Sequence, residues 1–140
     1  MEQKKIEIIH HCCEIGNLEE LQKYLDRKKL VIARENKTGL YLTPLHIAVI
    51  NNHRDIARYL GGRFPETFKV KDRLGRTPLH FASIHPNGQY IYSMLVTLGA
   101  DKNVKDSVSF IFLKYSKCTY NSEQNAKRHF LFSVSIQLYL

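Results

Sequence analysis

Thr43-Pro44-Leu45-His46-Ile47-Ala48 recurs as Thr77-Pro78-Leu79-His80-Phe81-Ala82, 34 residues further along the chain. Self-similarity at such a distance marks one supersecondary unit copied in tandem. The chemistry of the pattern is that of a helix start. Threonine can cap free helix N–H groups with its hydroxyl. Proline fits the first helical turn, where its missing N–H costs nothing. Leu45 and Leu79 then point inward with Ala48 and Ala82, and the alanines leave room for a neighbouring helix.

The residues around each copy extend the unit. After Ala48, the stretch Asn51-Asn52-His53-Arg54-Asp55-Ile56-Ala57-Arg58-Tyr59-Leu60 places Ile56, Tyr59 and Leu60 on one face of a second helix. After Ala82 come Asn87-Gly88, then Ile91, Met94, Leu95 and Val96, and the unit ends at Leu98-Gly99-Ala100-Asp101. Asp72-Arg73-Leu74-Gly75-Arg76 reads as a hairpin tip in which Gly75 supplies a positive φ. A degenerate unit comes first, with His10 at the His46 position, Cys12 at the Ala48 position, and Gly16-Asn17-Leu18-Glu19-Glu20-Leu21 as turn and second helix.

These residues resemble the ankyrin repeat, whose signature is T-P-L-H-x-A at a period of about 33 residues. The resemblance implies an all-α repeat fold, an ankyrin-repeat solenoid of about three helix–turn–helix units with hairpin loops. It places repeats over 4–106, with a degenerate N-terminal unit at 6–36, a second unit at 37–70 and a third at 71–106. Helices are expected near 4–14, 18–28, 44–51, 54–61, 78–84 and 88–97. Leu45, Ala48, Ile56, Leu60, Leu79, Ala82, Ile91 and Leu95 are expected in the core. By the same resemblance His46 and His80 tie hairpin to helix. The run from Leu42 to Asn52 is also similar to a central repeat of the IκB inhibitors.

The departures from the pattern are informative. Three residues, Leu40-Tyr41-Leu42, separate Gly39 from Thr43, where the third unit has only Arg76 between Gly75 and Thr77. The first finger should therefore be longer and carry exposed apolar side chains. His85-Pro86 should lengthen the loop between the third unit's helices. Gly61-Gly62 and Phe64-Pro65 stand where the family has a leucine pair member and Gly-Ala, which predicts an unusual turn. After Asp106 the pattern stops. Residues 107–140 hold four of the seven phenylalanines and three of the eight tyrosines, without helical period. They read either as a C-terminal element covering the last repeat or as alternative-exon or read-through sequence, and in neither case as a fourth ankyrin unit.

Composition narrows the function. The 140 residues are 44% hydrophobic and 24% charged, as in ordinary globular proteins. No apolar run approaches the ~20 residues that span a bilayer, so no membrane partner is expected. The N-terminus lacks the apolar core of a secretory signal, and three cysteines form no disulfide framework. An intracellular location, cytoplasmic or nuclear, is the expectation. His10-His11-Cys12-Cys13 resembles a metal cluster, but on a helix only His10 and Cys13 share a side, and no second ligand pair stands at zinc spacing. No phosphate loop, nucleophile elbow or zinc-protease motif occurs. No enzyme activity, cofactor or metal is expected.

The formal charge of +8 favours acidic partners. A basic nucleic-acid binder is the rival class, but the chain offers no reading helix or aromatic platform. A truncated splice product of a longer ankyrin protein is a third reading. The leading expectation is a protein-binding adaptor or inhibitor whose partner has an acidic segment. The resemblance puts the grip on hairpin tips and first helices. The candidate contact residues there, all expected to be exposed, are Lys37, Leu40, Tyr41, Ile50 and Asn51 of the second unit and Arg73, Leu74, Arg76, Ile84 and His85 of the third.

Overall fold

The computed structural model describes residues 2–26, 28–35 and 37–104; the tail 107–140 lies outside them. Among the described residues the regular structure is helical throughout, with no strand. The helices are α1 (Glu2–Ile15), α2 (Leu18–Tyr24), α3 (Lys28–Val31), α4 (Pro44–Ile50), α5 (Arg54–Arg63), α6 (Pro78–Ile84) and α7 (Gln89–Thr97), with a 3₁₀ turn over Pro65–Lys69. The first helices α1, α4 and α6 pack side by side. Each second helix lies against its own first helix, and α5 also packs on α7. One continuous core runs through all three pairs and includes every position expected to be buried.

The repeated motif starts α4 and α6 in the same way. Thr43 and Thr77 hold extended backbone just outside each helix, and proline follows. The histidine ring turns back on the cap: the Thr43 N–H donates to His46 Nδ1 at 3.3 Å, and the Thr77 N–H donates to His80 Nδ1 at 2.9 Å. A ring nitrogen that accepts from a backbone amide carries no proton, so the other nitrogen of His46 is the donor. That Nε2–H reaches the Arg76 carbonyl at 3.0 Å, in the hairpin of the next unit. His10 makes the equivalent contact, Nε2 to the Ala33 carbonyl at 3.0 Å. His10 and His46 therefore tie their helices to the segments that follow, His46 to the next unit's hairpin.

Two stretches differ from the expected helices. The second helix was expected to reach residue 28 and ends at Tyr24. Its apolar face, Leu18, Leu21 and Leu25, would next present Lys28 and Lys29 to the core. The chain breaks instead and restarts as α3, which buries Leu30 and Val31. The unusual turn predicted after α5 is the 3₁₀ segment, with Thr67 and Phe68 buried. A Cβ on Gly61 would stand 3.0 Å from the Phe68 ring, so the glycine at this leucine site is what lets the phenylalanine pack. The loop between α6 and α7 is longer than that between α4 and α5, as His85-Pro86 implied.

Ala48 and Ala82 are fully buried between adjacent first helices. Leucine at either site should overpack the stack and cost roughly 1–3 kcal/mol, read as a lower urea midpoint. A second expectation concerns acid. Burial, the dominant cause, lowers the His46 pKa to about 4, opposed in part by its bond to the Arg76 carbonyl. Burial lowers His10 too. A depressed histidine favours the fold fully above the unfolded pKa, and that contribution disappears as pH falls from about 6.5 to about 4. Urea unfolding at pH 7 and pH 5 should differ by about 2 kcal/mol from His46 alone, and its ring should stay neutral at pH 5 by NMR.

Candidate protein-binding surface

The second and third units meet through one buried polar knot. Asp72 opens the third hairpin and accepts the backbone N–H groups of Leu74 at 2.9 Å and Arg76 at 2.8 Å. Its other oxygen binds the Arg76 guanidinium through Nε and Nη2, both at 2.8 Å. The same guanidinium lies 4.4 Å over the Phe81 ring, and His46 meets that ring edge-on at 5.7 Å. Gly75 closes the turn with φ 76°, as read from sequence. Arg76 is thus a core residue, 4% exposed, and not the partner contact expected from its place on a finger. A buried Asp–Arg pair joined by an Nε–H hydrogen bond and an ion pair belongs to the fold.

The second unit's longer finger is built differently. Glu35 accepts the Thr38 N–H at 2.9 Å and the Leu42 N–H at 3.4 Å, along with the Thr38 hydroxyl. Leu40 and Leu42 fold inward, so Leu40 is 6% exposed and also fails the expectation of a free apolar contact. Its carbonyl accepts the Arg73 N–H at 2.9 Å and links the two fingers. Tyr41 takes the opposite course. It holds left-handed backbone, φ 56°, and its ring is 41% exposed. For a bulky L-residue that conformation costs about 1–2 kcal/mol.

The other candidates fall into two groups. Lys37, Ile50 and Asn51 line an open groove of about 830 Å³, with the buried Leu40 in its wall. Arg73 is exposed beyond it, while Leu74, Ile84 and His85 are half-buried. His85 is occupied as the end of α6, its Nδ1 accepting the Asn87 N–H at 3.0 Å. The groove's far wall is α1, which supplies Ile6, Glu7, His10, His11 and Glu14, with Leu42, Ile47 and Phe81 as apolar floor. Sequence reasoning missed that wall. The signal was present in the register: with His10 aligned on His46, His11 and Glu14 take the places of Ile47 and Ile50.

Cys12 and Cys13 fill buried small-residue sites, and burial pushes both thiols up, away from the reactive thiolate. Among the described residues no group of three His, Cys, Asp or Glu could hold a metal ion, and no helix is long and apolar enough to cross a membrane.

Hairpins that project from paired helices and are stitched together by histidine define an ankyrin stack. The chain belongs to the ankyrin repeat family, whose model for ankyrin repeats in three copies matches residues 9–106. Among curated proteins it is 30% identical to Palmitoyltransferase AKR1 of Kluyveromyces lactis over 116 residues, 83% of this chain and 15% of that protein. It is 33% identical to Ankyrin repeat domain-containing protein 7 of Homo sapiens over 60 residues, 43% of this chain and 23% of that one. The AKR1 palmitoyltransferase of Lachancea kluyveri is 28% identical over 76% of this chain and 14% of its own length. The chain thus spans only a minor part of each relative.

The two finger arginines should separate cleanly. Arg76→Ala leaves Asp72 buried and unpaired, and should cost about 3–5 kcal/mol of stability. Arg73→Ala, at an exposed site, should stay within about 0.5 kcal/mol. Chemical denaturation of the two single variants measures the contrast.

Proposed function

We propose that this chain is a non-catalytic protein-interaction module, an adaptor or inhibitor, that grips a partner segment across its first helices and finger tips. Ankyrin repeats are in general protein-interaction modules, and the observation that carries the reading here is the open groove. It has an apolar floor, a charged rim and walls from two successive units. Tyr41 stands exposed on the long finger, and tyrosine is among the residue types that most often anchor interfaces. The exposed lysines and arginine on or near the hairpins, Lys37, Lys71, Arg73 and Lys102, form a basic edge suited to acidic residues of a partner. The palmitoyltransferase name of two relatives belongs to proteins of which the match covers about 15%. Only the repeat module is carried over from them. The likeness of 42–52 to IκB inhibitors supports the inhibitor form, although the relatives above are not IκB proteins.

Affinity capture on the immobilised full chain, followed by binding measurements with the recovered protein, tests the proposal. Ile50→Asp in the groove and Tyr41→Ala on the finger should each weaken that binding by ten-fold or more. Tyr90→Ala, on the outer helix α7, should leave it unchanged. Equal binding by all three variants would remove the groove and finger from the function.

A further inference from the structure

The groove differs in charge from the molecule that carries it. The chain is formally +8. The groove is lined by three carboxylates, Glu7, Glu14 and Glu35, and by one lysine, Lys37, a formal −2 with neutral histidines. The basic side chains of the third unit's finger, Lys71 and Arg73, are not among its lining residues. The acidic side is therefore a local feature of the first unit.

The three carboxylates are not equivalent. Glu35 is buried, with its oxygens taken by donors from Thr38 and Leu42. Glu7 and Glu14 are exposed on α1. Among the described residues Glu7 makes no ion pair, and Glu14 has only a 3.7 Å contact with His11, which counts as an ion pair only when that ring is protonated. Seven residues separate them on one helix, two turns or about 10 Å. The same groove is lined by Ile6, Ile47, Ile50 and Leu42. The surface thus presents two exposed carboxylates beside an apolar floor.

We propose that the groove takes a basic, apolar segment of a partner protein, with two cationic side chains on Glu7 and Glu14 and apolar side chains on Ile47 and Ile50. This rests on the protein-binding reading above and names the chemistry of the bound segment. Cations on one side of the bound segment stand two or four residues apart in an extended strand, about 7 or 13 Å, and seven apart in a helix, about 10 Å. An acidic segment would meet like charge along the α1 wall. It would be confined to the outer finger edge.

Selection from a random twelve-residue peptide library displayed on phage, against the full chain, tests this directly. The wild-type chain should enrich peptides that combine Lys or Arg with Leu, Ile or Phe. Glu7→Lys with Glu14→Lys, at exposed sites that leave the core untouched, should lose those peptides and bind a synthetic copy at least ten-fold more weakly. Ile50→Asp should abolish the selection, and circular dichroism should show both variants folded. Enrichment of acidic peptides, or of the same peptides by the double-lysine variant, overturns the charge assignment and leaves the protein-binding reading standing. Selected peptides that bind Ile50→Asp as well as wild type overturn the groove itself, and the protein-binding reading with it.

Discussion

A single hydrogen bond, from His46 Nε2 to the carbonyl of Arg76, decides how one unit sits on the next. A repeat buries its apolar face only against a neighbour, so the contacts between units determine whether there is a fold. The bond works because both its ends are fixed independently. Thr43 holds the imidazole from the helix side, and Asp72 with its arginine holds the hairpin that presents the carbonyl. Phe81 fills the space between ring and guanidinium. A buried imidazole in that place must be neutral and in one tautomer, so the geometry that assembles the stack also makes it sensitive to acid.

Much of this fold was legible in the sequence because the repeat states its own register. With Thr43 and Thr77 aligned, the core positions follow by helical spacing, and all of them lie inside. What could not be read was the behaviour of residues whose partners are set by three-dimensional folding. Arg76 looked like a finger-tip contact because it is charged and follows a turn glycine. Only the return of the chain brings it over Phe81 and against Asp72. Leu40 looked exposed because its finger is long, yet the added residues fold back and bury it. The second helix stops at Tyr24, before Lys28 and Lys29 would turn to the core, where propensity alone would have continued it.

The candidate surface was half legible for the same reason. Lys37, Ile50 and Asn51 were reached by analogy between fingers and first helices, and they do share one groove. The opposite wall belongs to a unit without the Thr-Pro entry. Its first helix drew attention for His10, Cys12 and Cys13, which are buried, rather than for the exposed carboxylates Glu7 and Glu14. Net charge does not give the sign of the groove lining either. A formal +8 describes the field at a distance, whereas a bound segment experiences the few groups within several ångströms of it.

The departures from the repeat pattern sort into two kinds, and the distinction locates what is particular to this chain. Some are compensated internally. Gly61 makes room for Phe68, and Glu35 replaces the aspartate of the other hairpin by gathering donors from a longer loop. Such pairs conserve the stack and need no ligand to explain them. Others have no internal partner to account for them. Tyr41 accepts left-handed backbone and stays exposed, and Glu7 and Glu14 keep exposed carboxylates beside half-buried isoleucines. Nothing in the packing of the described units requires these choices. They lie on the side of the stack that carries the groove and its fingers, where a bound partner would supply the missing contacts.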